Sequence, residues 1–151
     1  MNTQGTIRQI SAKETLSLRH KVLKPHLSIE ECANPEDIEP STFHLGLYFK
    51  DHLVSIVSFS YQACPLMSAG APYRLRGMAT DEKYRSQGFG NELVNFAQDL
   101  LRSKRCDLIW CNARIKAIPF YENLGFRGLG NLFELPGIGT HKVMYKILNP
   151  R

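Results

Sequence analysis

Thr6-Ile7-Arg8-Gln9-Ile10 reads as a first strand. Ser11-Ala12-Lys13-Glu14 then has the form of a capping box. It opens a helix carrying Leu16, Leu18, Val22 and Leu23, which Pro25 stops. Residues 26–42 are rich in acidic residues and proline, and read as a loop with one helical turn. Residues 45–49 and 53–59 read as an antiparallel hairpin around Lys50-Asp51-His52, a turn that lacks the favoured glycine and leaves the register open. Residues 64–72 connect to an extended run over 73–80. Phe89, Leu93, Phe96, Ala97, Leu100 and Leu101 then recur at three- and four-residue spacing, the mark of a helix with one buried face. Residues 107–111 form a short apolar strand. Ala117, Phe120, Tyr121 and Leu124 fall on one helical stripe, with Pro119 in its first turn and Gly125 ending it. Residues 126–133 and 141–148 read as sixth and seventh strands joined by a turn at 136–139. The pattern predicts an α/β chain with a mixed, mostly antiparallel sheet of about seven strands and helices on both faces. No repeat, low-complexity tract or linker divides it, so a single domain over 1–151 is expected.

The most specific segment is Tyr84-Arg85-Ser86-Gln87-Gly88-Phe89-Gly90-Asn91, where a strand hands over to the long helix. Two glycines remove β-carbons at the helix entrance, so backbone N–H groups lie open to a ligand and are backed by the positive end of the helix dipole. A phosphate or pyrophosphate suits such a turn. A nucleoside-triphosphate P-loop needs Lys and then Ser or Thr after its last glycine, but Asn91-Glu92 follow Gly90. A dinucleotide fingerprint wants a small residue where Leu93 stands. Arg-x-x-Gly-x-Gly remains, with a glycine-capped turn that binds nothing as its plain alternative.

That loop resembles the acetyl-CoA pyrophosphate loop of the GNAT acetyltransferase superfamily. The run from Asn112 to Phe126 resembles the family's other signature, a short helix ending in Tyr-x-x-x-Gly-Phe, here Tyr121-Glu122-Asn123-Leu124-Gly125-Phe126. The resemblance covers residues 73–148 closely and the first 70 only in layout. It implies a GNAT-like fold whose strands near 73–81 and 107–111 splay apart to admit the pantetheine arm. It also implies that residues 26–42 help shape the acceptor site.

The implied activity is N-acetyl transfer from acetyl-CoA, as cosubstrate, to a primary amine of a small molecule or peptide. On this resemblance the backbone of Gln87, Gly88, Phe89 and Gly90 holds the pyrophosphate. Arg85 adds charge beside the loop, Ser86 replaces a more usual glycine, and Asn91 adds a side-chain contact. Met78, Ala79 and Thr80 lie where the family's fourth strand pairs with pantetheine amides; ordinary core packing is the alternative for Met78. Phe120 flanks Tyr121, the residue matching the family's general acid. Direct attack in a ternary complex needs a base, a donor for the developing oxyanion and a proton for the departing thiolate. A phenol near pKa 10 can serve a thiolate whose parent acid lies near 8.5; packing against the cofactor is the other reading of Tyr121. His141, Glu30, Glu31 and His44 are candidates for the base, with ordered water as the alternative. Arg114 departs from the pattern by standing where many members carry Asn. Asn112, two residues earlier, offers a substitute hydrogen-bonding group, and Arg114 a partner for a CoA phosphate.

Composition narrows the field further. With 151 residues, 43% of them hydrophobic, the chain can bury a real core. No stretch approaches the roughly 20 apolar residues of a membrane span, and residues 1–5 hold no signal-peptide core. Cys32, Cys64, Cys106 and Cys111 form no Cys-x-x-Cys pair, so reduced thiols in a cytoplasmic protein are expected and no metal. The net charge of +5 is spread along the chain without a basic stripe, which argues against nucleic acid and suits an anionic cofactor. An edge strand offers a route to a homodimer. A non-catalytic acetyl-CoA sensor of the same fold is the competing function, and an interaction domain with an incidental glycine turn is the third.

Overall fold

Ser11 turns the chain from strand β1 (Thr6–Ile10) into helix α1 (Ala12–Leu18). Its Oγ accepts the Glu14 N–H at 3.2 Å, and the Glu14 carboxylate accepts the Ser11 N–H at 3.0 Å, so the expected capping box is formed. In the computed structural model, which describes residues 5–149, α1 continues as a π turn over Arg19–Leu23 and ends before Pro25. Residues 1–4, most of the stretch read for a signal-peptide core, lie outside the described residues, as do 150 and 151.

The described chain forms two compact units, one of residues 5–60 and 76–97, the other of 61–75 and 98–149. Seven strands take the order β1-β2-β3-β4-β5-β7-β6.

In the first unit, β2 (Phe43–Phe49) pairs antiparallel with β1 and with β3 (His52–Tyr61). Lys50 and Asp51 join β2 to β3 with φ of 51° and 66°. Two left-handed residues make the tight hairpin turn that matches strand twist, and here non-glycine residues supply it. Ile10, Leu18, Ile56 and Ala79 form a core, with Val22, Leu23, Tyr48 and Leu53 packed against it. Between α1 and β2 the structure holds two 3₁₀ turns, Glu30–Cys32 and Pro35–Ile38, where one was expected. The second is closed by Asn34 and Asp37 in a capping box of their own.

In the second unit, β4 (Pro72–Thr80) begins parallel to β5 (Leu108–Arg114), with Pro72 to Arg74 opposite Leu108 to Trp110. Its remaining residues, 76–80, belong to the first unit. β7 (Gly139–Ile147) pairs antiparallel with β5 and with β6 (Arg127–Leu135), which bulges between Leu129 and Phe133. Both strands start and end within two residues of expectation. Cys64, Leu108, Trp110 and Val143 form this unit's core, and Trp110 Nε1 donates to the Gln62 carbonyl at 2.8 Å.

Helix α2 (Phe89–Ser103) buries Phe89, Leu93, Ala97 and Leu101 as the periodicity predicts, but Leu100 is half-buried and Phe96 is 46% exposed. Its buried stripe also takes in Val94 and Gln98. At 100° per residue these lie on the far side of the Leu93-Ala97-Leu101 line from Phe96, so the stripe is rotated away from the phenyl ring. Helix α3 (Ile118–Asn123) follows a 3₁₀ turn, Ile115–Ala117, and carries Pro119 in its first turn.

Candidate functional site

The residues expected at the site fall into two groups, one in each unit. The first begins where β4 ends. Gly77 has φ +64°, and beyond it Met78 and Thr80 are half-buried while Ala79 is buried. Ser55 Oγ donates to the Ala79 carbonyl at 3.2 Å, so the 2.9 Å contact with Thr80 must use the threonine proton. Asp81 donates its N–H to the Val54 carbonyl at 2.8 Å. Its carboxylate accepts the Lys83 N–H at 3.1 Å and Lys21 Nζ at 3.0 Å. These bonds, the Lys83 backbone first, hold its pKa below the usual carboxylate range.

A 3₁₀ turn, Glu82–Tyr84, then leads into the glycine loop. Arg85 is exposed and its Nε donates to the Thr80 carbonyl at 3.4 Å. Ser86 and Gly88 have φ of 64° and 84°. Ser86 therefore holds a conformation in which the glycine it replaces is unstrained. A β-carbon built on Gly88 would meet nothing within 4 Å, so the loop faces open space there. Phe89 is buried against Phe49, with ring centroids 5.0 Å apart, and this anchors the helix start. The Glu92 N–H accepts no further role, because it donates to the Gly88 carbonyl at 2.9 Å as the first helical bond. The N–H groups of Phe89, Gly90 and Asn91 come before any helical acceptor is available. Gln87, Gly88 and Asn91 are exposed and Gly90 is buried. An open loop, positive φ and a helix N-terminus form the cradle a pyrophosphate needs.

The second group lies on β5, α3 and β7. Tyr121 is 6% exposed, between the rings of Phe120 at 5.1 Å and Phe126 at 5.4 Å. Burial drives its phenol well above the usual tyrosine pKa, with a smaller push from Cys111. Tyr121 therefore stays protonated and can offer its O–H, although complete transfer of that proton is harder than for a free phenol. Burial likewise raises the Cys111 thiol to about 12. The end of α3 is fixed by Gly125, at φ +92°, and by Lys146 Nζ, which donates to the Leu124 carbonyl at 2.7 Å. Asn112 and Arg114 are half-buried on β5, and Arg114 stands opposite His141 of β7.

His141 is 4% exposed and tilts against Phe133, with centroids 5.9 Å apart. Its Nδ1 lies 2.8 Å from the Gly139 carbonyl oxygen. A carbonyl only accepts, so Nδ1 carries the proton and Nε2 of the neutral ring carries the lone pair.

The other candidate bases are engaged or exposed. Glu30 is exposed, and Glu31 accepts the Ser28 N–H at 2.9 Å as a local cap. His44 is buried, with Nδ1 2.7 Å from Ser58 Oγ and Nε2 4.0 Å from Asp37. Burial lowers its pKa, as does the Arg19 charge, while Asp37 pushes the other way. Periodicity overlooked Arg19, which is 2% exposed. The signal is that Thr15, Leu18, Arg19 and Val22 share one helical spacing, which places an arginine on the inward stripe. Among the described residues, no group of three or more His, Cys, Asp or Glu is placed to hold a metal. No described helix is long and apolar enough to cross a membrane.

This fold and these two motifs define an acyltransferase. The sequence profile of the acetyltransferase (GNAT) family matches residues 10–126, and the chain belongs to that family. It is 45% identical over 142 residues to a Bacillus subtilis (strain 168) protein described as uncharacterized N-acetyltransferase YitI, covering 94% of this chain and 95% of that one. A glucosamine 6-phosphate N-acetyltransferase from Trypanosoma brucei brucei is 29% identical over 114 residues, 73% of this chain and 78% of its own. The crystal structure of an aminoglycoside 6′-N-acetyltransferase complexed with coenzyme A has the same fold. It gives a TM-score of 0.75 at 17% identity, over 97% of this chain and 98% of that one.

Proposed function

We propose that residues 1–151 act as one domain that transfers the acetyl group of acetyl-CoA directly to a primary amine of a small molecule or peptide. The observation that carries this reading is the open space over Gly88 at the start of α2, in a chain that keeps the family's tyrosine. Backbone N–H groups from Gln87 to Gly90 hold the pyrophosphate, Arg85 adds charge, and Asn91 adds a side-chain contact. Met78 and Thr80 offer backbone groups to the pantetheine amides, with Ala79 turned into the core between them. Asn112 and Arg114 supply polar contacts on β5, and Arg114 suits a CoA phosphate.

The chemistry divides between two groups. The amine nitrogen bonds to the thioester carbonyl carbon, the carbon–sulfur bond breaks, and the amine's proton leaves. His141 Nε2 takes that proton, either directly or through water. Tyr121 donates its O–H to the departing sulfur, and Phe120 and Phe126 hold the ring in place. Because burial raises the phenol, Tyr121 stabilises the sulfur chiefly as a hydrogen-bond donor. The four buried free thiols suit a reducing compartment such as the cytoplasm.

The test follows thiol release from acetyl-CoA with an amine panel. The panel contains glucosamine 6-phosphate and an aminoglycoside, the amines named for one relative and one structural neighbour, together with a lysine-containing peptide. Amine-dependent release with any of these supports the reading. Tight acetyl-CoA binding without release from a broad panel would favour a sensor of the same fold.

A further inference from the structure

Arg19 sits on the π turn that extends α1, and its guanidinium is the hub of a network of buried side chains. Nη1 donates to Asp37 Oδ2 at 2.7 Å and to the Cys32 carbonyl at 3.2 Å. Nη2 donates to Asp37 Oδ1 and to Ser58 Oγ, both at 3.0 Å. Ser58 thus accepts from Arg19 and keeps its own proton for His44 Nδ1, 2.7 Å away. His44 Nε2 stands 4.0 Å from Asp37 Oδ1, beyond hydrogen-bond reach. The fifth donor, Nε, is buried and has no hydrogen-bond partner. It is the atom closest to where a β-carbon on Gly77 would stand, at 3.3 Å, with Cγ and Cζ at 4.0 Å.

The neighbours of this one side chain come from three segments far apart in sequence: the 24–42 segment, Ser58 of β3, and Gly77 of β4. Cys32 and Asp37 lie in the two 3₁₀ turns of the 24–42 segment, where Cys32 is the buried residue. The neighbouring Glu36 forms a second ion pair, with Arg76 of β4. Gly77 follows Arg76 and opens the stretch Gly77–Asp81, whose far end is held by Lys21 of the same π turn through Asp81. The π turn therefore lies beside Gly77 through Arg19 and holds Asp81 through Lys21. A buried ion pair is a weak way to add stability, because apolar residues fill such a space at lower cost. Its planar fork is a strong way to fix position, since four bonds hold the guanidinium in one orientation.

We propose that Arg19 is a positioning residue that couples the 24–42 segment to Gly77–Asp81, so that acetyl-CoA bound at the glycine loop orders that segment. The inference rests on the acetyl-CoA reading of the loop. Arg19 is the side chain nearest the free face of Gly77, and it cannot move without pulling on Asp37 and the Cys32 carbonyl. Lysine would keep a charge for Asp37 but lose the fork.

Amide hydrogen exchange with and without saturating acetyl-CoA tests this in the full chain. In the wild type, acetyl-CoA should slow exchange at 87–90 and also, by about fivefold or more, at 30–38. In Arg19→Lys, protection at 87–90 should remain while protection at 30–38 is lost. An arginine that only stabilised the fold would change exchange at 30–38 equally with and without ligand. Protection at 30–38 that persists in Arg19→Lys, or is missing from a wild type protected at 87–90, overturns the coupling. No protection at 87–90 in the wild type overturns the acetyl-CoA reading itself. Should Arg19→Lys fail to fold, Asp37→Asn cuts the same link from the other side, and retained protection at 30–38 there also overturns the proposal.

Discussion

His141 donates its Nδ1 proton to the Gly139 carbonyl oxygen across 2.8 Å, which leaves the lone pair of the neutral ring on Nε2. The bond orients the base we propose without using up Nε2. His141→Asn places an amide N–H where Nδ1 stood and removes Nε2. It is expected to lower acceptor kcat/KM by about 10²–10⁴ while acetyl-CoA affinity holds. Steady-state kinetics with calorimetry would show this, and unchanged kcat/KM would give proton removal to water.

Tyr121 is the complementary donor in the proposed mechanism. Tyr121→Phe keeps the ring packed between Phe120 and Phe126 and deletes only the hydroxyl. Turnover should fall by about 10²–10³, the scale of one donor to a developing anion. Acetyl-CoA affinity should stay within about twofold, since the change touches transition-state stabilisation more than binding. Equal turnover in the two proteins would remove the hydroxyl from the mechanism.

The Arg19 network predicts how stability depends on pH. Burial raises the Asp37 carboxyl, but hydrogen bonds from Arg19 and the Asn34 backbone, with the Arg19 charge, bring it below the ordinary range. Its contribution is present above the unfolded carboxylate pKa and is lost as pH falls through the lowered folded value. His44 is also lowered, chiefly by burial. The unfolded chain therefore binds the His44 proton first, and stability declines as pH drops below about 6.5. Urea unfolding of His44→Gln should show a flatter profile between about pH 7 and 5 than the wild type. Asp37→Asn should flatten the profile only below about pH 4. A wild-type profile without slope in either window would contradict both assignments.

The β2–β3 turn carries avoidable strain. Asp51 has φ +66° in a position that glycine occupies freely. Asp51→Gly should raise unfolding free energy by about 0.5 kcal/mol, measured by chemical denaturation, without affecting acetyl-CoA binding. A loss of stability would mean that the aspartate side chain contributes more than its backbone costs.

The parts legible in the sequence are those encoded locally. Ser11 and Glu14 reveal the start of α1, Gly88 and Gly90 reveal the loop, and Pro119 with Gly125 bounds α3, because each acts through its own backbone. Phe96 misled because a helical stripe has a width but no visible centre until its partners are known. The turn at Lys50-Asp51 is legible in place but not in register, because tertiary pairing imposes a left-handed backbone that neither residue prefers. The Arg19 network joins residues 19, 37, 44 and 58 through contacts that no periodicity records. The proton on His141 Nδ1 depends likewise on where Gly139 directs its carbonyl.

Isothermal titration of acetyl-CoA into the wild type and Gly88→Asp shows whether the glycine loop binds the pyrophosphate. A β-carbon on Gly88 enters open space, so aspartate would put a carboxylate where the pyrophosphate belongs, on a backbone that strains any side chain. Binding at about micromolar Kd in the wild type, weakened at least about 100-fold in a Gly88→Asp protein that still unfolds cooperatively, is the predicted result. Equal binding by the two proteins would move the cofactor away from this loop, and no binding by the wild type would contradict the account as a whole.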